Sequence, residues 1–542
     1  MRSRLIAAFL LLGAGCASAS RPAPTMSPGP ASSTAPSLIV LLVVDQMRTD
    51  YLDRGRAHFT SGLKRLTTEG AWFTNGAYPY LNTITCAGHS TIGTGAFPYR
   101  HGMVLNAWWD RSSARPRACT ADSTVMNIGY VATATGGNSA ASLLVPTLAD
   151  QLRQAGGRTV TMSLKSRSAI PLAGRHPTSI VWFDDLAGWA TSTAFTVTKE
   201  SWVARFIDTH PLAEDQGRVW NRLMPSAAYS GLDAGVGERA PAGWTTSFPH
   251  ELGSTAGSEF YRLWQRSPFA DEYLGRMAAA AVDAVGLGKG SGTDFLAVSF
   301  SSLDLVGHRF GPASHEVQDI VLRLDRTIGG LLDHLDTVVG RGRYVVALGA
   351  DHGVGPLPEQ TGGGRQTGDQ ALAAIDRALA PFFGTGTYAV HAAYTDIYLA
   401  PGVLGRLKTN EQATAAVLDA LRAMPGIAYA FRADEISGAA MRSSTDPVKR
   451  AAALSYYPAR SGDLIIVPKE NWMLSAGDAT THGTLHRYDQ RVPIVFYGPG
   501  VPAGLRDGAA TPADIAPTLA ALAGVRFDSP DGRVLVGPGL RR

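Results

Sequence analysis

The sequence predicts an α/β protein whose core is a doubly wound, mostly parallel sheet flanked by helices. Three apolar runs have the Val, Leu and Ile content of strands that are buried on both faces. These runs are residues 37–44, 294–301 and 343–348. Helix-like segments at 315–335 and 412–424 alternate with strands, as in a sheet with helices on both faces. Ligands of such sheets gather at the carboxyl ends of the strands, so these ends are where a functional site is expected.

The composition is that of a globular protein with an ample core. Of the 542 residues, 45% are hydrophobic and 17% are charged, which excludes disordered, fibrous and coiled-coil chains. The formal net charge of +4 is spread along the chain, and it argues against a nucleic-acid partner or an anionic membrane surface. The three cysteines include no CxxC pair, so a cysteine-based zinc finger and a thioredoxin-like redox site are excluded.

The first residues have the layout of an export signal. Residues 1–19 combine two arginines, a short apolar run and small residues, and we interpret them as a signal peptide. The apolar run is far shorter than the about 20 residues that cross a bilayer, and no transmembrane segment is expected. Cleavage after Ala19 is the favoured outcome, with lipid attachment at Cys16 as the alternative. The protein is therefore expected to be exported, either to the periplasm or to the medium, with a lipid anchor only if Cys16 is modified.

The rest of the chain is predicted to be a short tether and one domain. Residues 20–36 consist mainly of Pro, Ser and Ala, and they are predicted to be disordered. Residues 37–542 are predicted to form a single α/β domain. Two stretches, about 170–290 and about 360–480, lack a regular alternation of strands and helices, and we expect them to be insertions that cap the edge of the sheet.

Acidic and imidazole groups at the predicted strand ends indicate a metal centre, because oxygen and imidazole ligands suit zinc and related ions. Asp304 and His308 are four residues apart and would share one face of a helix. Asp351 and His352 can act together only if the strand has ended, which the flanking glycines permit. The candidate ligands are Asp45, Asp304, His308, Asp351, His352 and one later histidine.

The most specific pattern begins with the segment NTITCAGHSTIGTG at 82–95. With it, the chain resembles the alkaline phosphatase superfamily, and within it the bacterial threonine-nucleophile alkaline phosphatases, which are related to the nucleotide pyrophosphatase/phosphodiesterases. The resemblance spans nearly the whole mature chain, with its motifs in the expected order. These motifs are Asp45, Thr85, Lys165-Ser166-Arg167, the segment 304–308, Asp351-His352-Gly353, His482-Gly483 and the closing TPADIAPTLAALAGV.

The resemblance implies an alkaline phosphatase-like fold and two zinc ions per chain. The first zinc would be held by Asp45, Asp351, His352 and the oxygen of Thr85, and the second by Asp304, His308 and a later histidine. His482 is preferred for that place because a glycine follows it, and His486 is the second candidate. Manganese, iron and calcium remain open alternatives to zinc.

Thr85 matches the nucleophile of these families. A helix N-terminus beyond it would direct free N–H groups and the positive end of a dipole at a phosphoryl group. The alternatives are that Thr85 only caps the helix, or that Thr83 carries the chemistry. The spacing to Gly88 and His89 favours Thr85. We interpret His89 itself as a structural, hydrogen-bonded residue.

The resemblance also implies which residues bind the phosphoryl oxygens: Asn106, Lys165, Arg167 and the N–H of Cys86. Lys165 and Arg167 are two residues apart and would face the same side of an extended chain. Two cations suit the dianionic group of a monoester, and arginine offers a two-donor fork. The predicted activity is therefore hydrolysis of small phosphate monoesters to an alcohol and inorganic phosphate, by way of a phosphothreonine.

Three other functions are alternatives to a phosphate monoesterase. A phosphodiesterase or nucleotide pyrophosphatase on the same scaffold is the first alternative, and a non-catalytic exported protein that binds metal or phosphate is the remote one. A sulfatase is disfavoured because Cys86 is followed by Ala-Gly-His, which is not the x-Pro-x-Arg of a formylglycine precursor. Cys86 and Cys119 remain after cleavage as candidates for a disulfide in an oxidising compartment. No motif indicates the leaving group or the oligomeric state.

Overall fold

The computed structural model describes residues 35–528 and 531–537, so the predicted signal peptide and most of the tether lie outside the described residues. The strands of this part, β1 to β20 in chain order, are Leu38–Val44, Ala71–Phe73, Ala107–Asp110, Arg115–Ala118, Asn127–Gly129, Thr159–Ser163, Ser179–Asp184, Gly188–Ser192, Val219–Trp220, His250–Glu251, Asp294–Phe300, Tyr344–Gly349, Gly364–Arg365, Ala389–Ala393, Asp396–Leu399, Ile427–Arg432, Leu464–Pro468, Trp472–Met473, Ile494–Tyr497 and Gly504–Arg506. No helix among the described residues is long and apolar enough to cross a membrane.

The α-helices of the same part are labelled α1 to α19. In chain order they are Thr49–Gly55, Gly62–Glu69, Thr85–Thr94, Pro98–His101, Leu148–Gln154, Ser166–Ala173, Ser201–Thr209, Ser258–Gln265, Pro268–Val285, Ser302–Phe310, His315–Leu335, Pro358–Thr361, Gly368–Phe383, Val403–Lys408, Glu411–Arg422, Ala439–Arg442, Pro447–Ser455, Arg487–Gln490 and Ile515–Ala523. The helices predicted at 315–335 and 412–424 correspond to α11 and α15.

Ten strands form the main sheet, in the order β20-β2-β19-β12-β1-β11-β6-β7-β8-β5. The central strands β12, β1, β11, β6 and β7 pair in parallel. Antiparallel pairs flank them, and β20 is parallel to β2 at one edge. The prediction of a mostly parallel sheet flanked by helices is confirmed.

The apolar character of β1 follows from helices on both faces of the sheet. Every residue of Leu38–Val44 is buried, and successive side chains of a strand point to opposite faces. The even-numbered side chains of β1 pack in one core cluster with residues of α9 and α11. The odd-numbered ones pack in another with residues of α5 and α19. Because both faces are covered, the strand reads as a continuous apolar run without alternation.

The register of the parallel strands aligns their carboxyl ends. Val44 of β1 lies opposite Phe300 of β11, Val43 lies opposite Gly349 of β12, and Ser299 lies opposite Ser163 of β6. The segments that follow these four strands therefore begin at one edge of the sheet. All of the metal ligands predicted at strand ends come from three of these segments.

The two irregular stretches differ in structure. In the later one, β14, β15, β17 and β16 form a separate antiparallel sheet, which packs with α13 and α15 around its own apolar cluster. We call this sheet with its helices the cap. The stretch 170–290 is not wholly an insertion, because its strands β7 and β8 extend the main sheet. Its tryptophans Trp182, Trp189 and Trp220 are buried, which places them in the core.

Candidate active site

Three buried carboxylates meet where the central strands end. Asp45 follows β1, Asp351 follows β12, and Asp304 lies in the first turn of α10 just after β11. Each is at most 2% exposed. The ammonium Nζ of Lys165 lies 2.5 Å from Asp45 Oδ2 and 2.5 Å from Asp304 Oδ2. The fold thus gathers three acids from segments that are far apart in the sequence, and one lysine lies between two of them, Asp45 and Asp304.

Three histidines complete the cluster, and their ring nitrogens have defined roles. Each ring donates from Nδ1 to a backbone carbonyl oxygen. This hydrogen bond fixes the orientation of the ring and leaves Nε2 free of a proton when the ring is neutral. Such donation is typical of metal-binding histidines. The donations run from His308 to Thr480 over 2.9 Å, from His352 to Gly353 over 2.9 Å, and from His482 to Thr83 over 2.8 Å.

Two groups of ligand atoms are close enough to hold metal ions. Possible ligand atoms of Asp45, Asp351 and His352 lie within 4.8 Å of one another, as do those of Asp304, His352 and His482. His308 adjoins the second group, since its Nε2 is 3.2 Å from Asp304 Oδ1. His352 belongs to both groups, and its distances of 3.4 Å to Asp45 and 3.2 Å to Asp351 favour the first.

His486 lies outside both groups. Its Nε2 donates to the carbonyl oxygen of Pro468 over 3.0 Å. His482, by contrast, is buried, its ring stacks on that of His352 with centroids 3.5 Å apart, and its Nε2 is 3.8 Å from Asp304 Oδ1. Of the two later histidines, the structure brings His482 into the cluster.

The electrostatics of the cluster favour added positive charge. Burial, together with the neighbouring Asp304 and Asp351 carboxylates, raises the pKa of Asp45 to about 7. Burial opposes ionisation of Asp304 as well, yet the Lys165 ammonium holds the pKa of that carboxyl well below its usual value. Asp45 Oδ1 is buried without a hydrogen-bond donor among the described residues, and Asp351 Oδ2 lies near two imidazole nitrogens, His89 Nδ1 at 3.1 Å and His352 Nε2 at 3.2 Å. One lysine does not satisfy three buried acids, and divalent cations at the two groups would do so.

Thr85 is the first residue of α3. Its hydroxyl oxygen lies 3.3 Å from His352 Nε2, beside the first ligand group. A Cβ on Gly88 would collide with the backbone of Asp351, so glycine at this position lets the first turn of α3 pack directly on the loop after β12. The absence of a side chain at position 88 thereby brings Thr85 to the ligands.

The side chains of Thr83 and His89, on either side of Thr85 in the chain, form hydrogen bonds within the protein. The hydroxyl of Thr83 donates to the carbonyl oxygen of Thr484 over 2.9 Å. His89 is buried, its Nδ1 donates to the carbonyl oxygen of Thr85 over 2.9 Å, and its Nε2 lies 2.8 Å from the hydroxyl of Ser299. These contacts agree with a structural role for His89, and they turn the Thr83 hydroxyl toward a backbone carbonyl.

Asn106 is tied to the start of α3. Its Oδ1 accepts the N–H of Cys86 over 2.9 Å, and Cys86 forms a disulfide with Cys119. The backbone N–H of Cys119 in turn donates to the carbonyl oxygen of Asn106 over 2.9 Å. Because Oδ1 accepts this hydrogen bond, the amide is oriented so that its Nδ2 group faces other partners as a donor.

Lys165 and Arg167 do not lie on one extended strand. Lys165 is extended, but α6 begins at Ser166, and Arg167 lies in its first turn. The expectation that two-residue spacing on an extended chain aligns them is therefore wrong. Lys165 pairs with Asp45 and Asp304, whereas the buried Nε of Arg167 has no hydrogen-bond partner. Their role in binding a phosphoryl group remains a prediction.

Sequence reasoning missed Gln46. This residue has a positive φ of 69°, which is uncommon outside glycine. Its Nε2 donates to Asp304 Oδ1 over 2.7 Å, and its backbone N–H donates to Asp351 Oδ1 over 3.1 Å. A Cβ on Gly307 would collide with the Gln46 side chain, which accounts for glycine in α10. Gln46 thus joins the two ligand groups, and no sequence motif signals it.

Tyr394 was missed as well. It lies with Thr395 in the tight turn between β14 and β15 of the cap, and its φ is +53°. Its hydroxyl accepts a hydrogen bond from Asn106 Nδ2 over 3.4 Å. A tyrosine in the left-handed region is a steric outlier of the kind that occurs at functional sites.

We expect Gln46→Ala to weaken metal binding by about 10- to 100-fold, the usual effect of removing a group that orients the ligands. Titration of the metal-free protein with Zn²⁺ against a competing chelator measures this. Gln154→Ala, at the exposed last residue of α5, is the matched control and should leave the affinity unchanged. Equal affinities of the Gln46→Ala and wild-type proteins would contradict a role for Gln46 in ordering the ligands.

Comparison with known proteins identifies the family of the chain. Residues 39–489 match the family model of type I phosphodiesterases and nucleotide pyrophosphatases. The chain is 34% identical over 511 residues to the alkaline phosphatase PafA of Elizabethkingia meningoseptica, covering 91% of this chain and 92% of that protein. It is 32% identical over 522 residues to the alkaline phosphatase PhoV of Synechococcus elongatus, covering 93% and 92% respectively.

Solved structures show the same relationship. The crystal structure of PafA superposes with a TM-score of 0.84 at 32% identity, covering 92% of this chain and 98% of that one. Murine ectonucleotide pyrophosphatase/phosphodiesterase 5 shares the fold, with a TM-score of 0.52 at 14% identity and coverage of 90% and 96%. The protein is therefore a hydrolase that belongs to the type I phosphodiesterase and nucleotide pyrophosphatase family, within the alkaline phosphatase superfamily.

Proposed function

We propose that this protein is an alkaline phosphatase that hydrolyses phosphate monoesters to an alcohol and inorganic phosphate, through a phosphothreonine formed at Thr85 on a two-zinc centre. The observation that carries the proposal is the position of the Thr85 hydroxyl, at the start of α3 and 3.3 Å from His352 Nε2. The named relatives PafA and PhoV, which are alkaline phosphatases, support the same reaction.

The donor set suits zinc. Imidazole nitrogen and carboxylate oxygen are common zinc ligands, and the fixed Nδ1 donations leave the three Nε2 atoms available. In our proposal the first ion is held by Asp45, Asp351, His352 and Thr85. The second is held by Asp304, His308 and His482. When bound, such ions supply positive charge that lowers the pKa of a hydroxyl or of water and offsets the charge on a departing oxygen.

The residues of the chain then position and transfer the phosphoryl group. Thr85 Oγ1 gives up its proton to solvent and forms a bond to phosphorus as the bond to the leaving oxygen breaks, and the leaving oxygen takes up a proton from water and departs as the alcohol. Water afterwards cleaves the bond between Oγ1 and phosphorus and releases inorganic phosphate. Asn106 Nδ2, Lys165 and Arg167 stabilise the non-bridging oxygens. The Cys86 N–H, expected from the sequence to join them, donates instead to Asn106 Oδ1. Asn106 would hold its donor in place through its contact with Cys86 N.

We expect zinc affinity to fall by at least about tenfold for each pH unit between pH 9 and pH 6, because metal ions compete with protons for these ligands. Although burial opposes it, the Asp351 carboxylate raises the pKa of His352 to about 9, so zinc must displace its proton below that pH. Asp45, with its pKa of about 7, adds a second proton below pH 7. Competition with a chromophoric chelator at several pH values measures the slope.

Two variants check the assignment of the ligands in that experiment. His482→Ala should lose one zinc ion at every pH, whereas His486→Ala should bind two ions as the wild type does. An affinity that does not change between pH 6 and pH 9 would contradict the proton competition. If His486→Ala loses one zinc ion and His482→Ala does not, His486 rather than His482 is the ligand of the second ion.

The reaction class is tested by comparing kcat/KM for an aryl phosphate monoester and for the matching methyl phosphodiester, with zinc-loaded mature protein. A strong preference for the monoester supports the proposal. A preference for the diester supports a phosphodiesterase, for which the family match is the supporting observation. Turnover of neither ester supports a protein that only binds metal or phosphate.

We also propose that the protein is exported, with residues 1–19 as its signal peptide. The disulfide between Cys86 and Cys119 supports this, because disulfides persist in oxidising compartments such as the periplasm. Mass spectrometry of the protein isolated from its own cells distinguishes cleavage after residue 19 from lipid attachment at Cys16.

A further inference from the structure

A cavity of about 340 Å³ opens beside the second ligand group, which is within the range of small-molecule sites, roughly 300–1,000 Å³. His308 and His482 form one of its walls. None of Asp45, Asp351 and His352 is among the described residues that line it. The cavity therefore adjoins the second ligand group. Thr85 lies beside the first group, and in an in-line displacement the leaving oxygen departs on the side of phosphorus opposite the nucleophile. The side of the second group is where we expect the leaving oxygen.

The wall contributed by the cap is apolar. It consists of Ala392, Ala393, Tyr394 and the nearby Leu474. Leu474 also packs against the apolar cluster of the cap, so its position is supported from behind. Such a wall favours leaving groups with apolar surface, because their transfer from water into the cavity is favourable.

The cap turn that carries Tyr394 is hydrogen-bonded to Asn82, in the segment that precedes Thr85. The hydroxyl of Thr395 donates to Asn82 Oδ1 over 2.5 Å, and Asn82 Nδ2 donates to Asp396 Oδ2 over 3.2 Å. All three residues are buried. The Tyr394 ring also lies close to Gly483, next to His482. The apolar wall is thus held at a set distance from Thr85 and the second ligand group, as a preformed site requires.

The lining also carries a negative charge. Asp478 lines the cavity, and its side chain is 42% exposed. Its partner Arg309 is 3.4 Å away but is not among the residues that line the cavity. Among the described lining residues, Asp478 is the one acidic side chain and there is no lysine or arginine. A leaving group that carries a negative charge away from the metal centre would meet the Asp478 carboxylate, which Arg309 pairs with from outside the lining, and no lysine or arginine of the described lining offsets that repulsion.

From these contacts we infer that this cavity is the leaving-group subsite, and that it selects phosphate monoesters whose leaving groups are uncharged and apolar, such as aryl groups, over those whose leaving groups are anionic. The selection has two separate sources. Leu474 and its apolar neighbours stabilise the aryl group, and Asp478 repels negative charge. The inference rests on the proposed function, because a leaving group exists only if the protein cleaves phosphate esters.

The charge selection is tested with two substrates that share one ring, 4-carbamoylphenyl phosphate and 4-carboxyphenyl phosphate. We expect the ratio of their kcat/KM values, neutral over anionic, to fall about fivefold in Asp478→Asn, as for two like charges across a solvated cavity. Asp419→Asn is the matched control, because Asp419 is 74% exposed on α15 and does not line the cavity. Its ratio should equal that of the wild type.

The apolar wall is tested with phenyl phosphate and methyl phosphate, since a methyl group is too small to reach the wall. We expect the phenyl-over-methyl ratio of kcat/KM to fall about fivefold in Leu474→Ala, the usual effect of removing apolar contacts with a substrate. Leu404→Ala is the matched control, because Leu404 packs against the same cap cluster but lies outside the cavity. It reports on any general loosening of the cap.

Ratios taken within one protein cancel changes in total activity or in metal content. If both ratios stay at the wild-type value in Asp478→Asn and Leu474→Ala, the cavity is not the leaving-group subsite, although the protein would still be a phosphatase. If the zinc-loaded wild type hydrolyses none of the four esters, the proposed function itself fails. A fall that is equally large in the control variants would also overturn the subsite, since the change would then come from the cap as a whole.

Discussion

Replacement of Thr85 by alanine should reduce turnover of phosphate monoesters by about 10⁴-fold or more, the effect expected when a covalent nucleophile is removed. Thr85 is buried at the first position of α3 and lies beside His352. Its removal takes away the atom that accepts the phosphoryl group but leaves the three carboxylates and three histidines unchanged. The protein should therefore keep most of its zinc and its affinity for inorganic phosphate.

Two variants sharpen this experiment. Thr85→Ser keeps the hydroxyl and should retain turnover well above that of Thr85→Ala. Thr83→Ala removes the other candidate hydroxyl, which donates to the carbonyl oxygen of Thr484, and should stay within about tenfold of the wild type. Acid quench of the wild type during turnover, followed by peptide mapping, should find phosphate on Thr85. Near-full metal-dependent activity of Thr85→Ala would show that another residue is the nucleophile.

Replacement of Arg167 by alanine should lower kcat/KM for an aryl monoester by about 100- to 1,000-fold and change that for the matching diester by less than about tenfold. A monoester presents a dianion with three non-bridging oxygens, for which the guanidinium offers a charged, two-donor fork. A diester carries one charge less, because one oxygen that is free in the monoester carries an alkyl group. Among the described residues, the buried Nε of Arg167 has no hydrogen-bond partner.

Arg167 separates the reaction classes better than Lys165 does. The Lys165 ammonium pairs with Asp45 and Asp304 at 2.5 Å, so Lys165→Ala changes the charge around the metal ligands as well. A Lys165/Arg167 double alanine variant should lose the monoester preference, but it must be assayed with its zinc content measured. Arg153→Ala, an exposed arginine on α5, is the matched control. An equal loss for both esters in Arg167→Ala would show that Arg167 does not discriminate between them.

The ligand positions could be predicted from the sequence because buried parallel strands are easy to recognise. Asp45 and Asp351 each follow a continuous apolar run, and such runs form only where helices cover both faces of a sheet. Asp304 and His308 share a helical face by their spacing. The later histidine was a choice between His482 and His486, and burial of His482 beside Asp304 gives the structural preference for it.

The environment of Lys165 and Arg167 could not be predicted in the same way. Residues two apart in the chain face the same side only on an extended segment. The helix α6 begins at Ser166, between Lys165 and Arg167. Gln46 and Tyr394 were invisible for a related reason. Their side-chain partners Asp304 and Asn106 are 258 and 288 residues away in the chain, and neither belongs to a local pattern.

The sequence by itself determined the α/β class, the strands that end at the site, and the residue types able to hold metal and attack phosphorus. These are properties of local periodicity and of motifs, because burial on two faces and helical spacing leave a signature in neighbouring residues. The tertiary structure alone decided which groups meet: the lysine between two carboxylates, the glutamine that joins the ligand groups, and the cap tyrosine at the Asn106 amide. Such contacts depend on strand register and on how the cap packs, and long-range packing of this kind leaves no trace in a short stretch of chain.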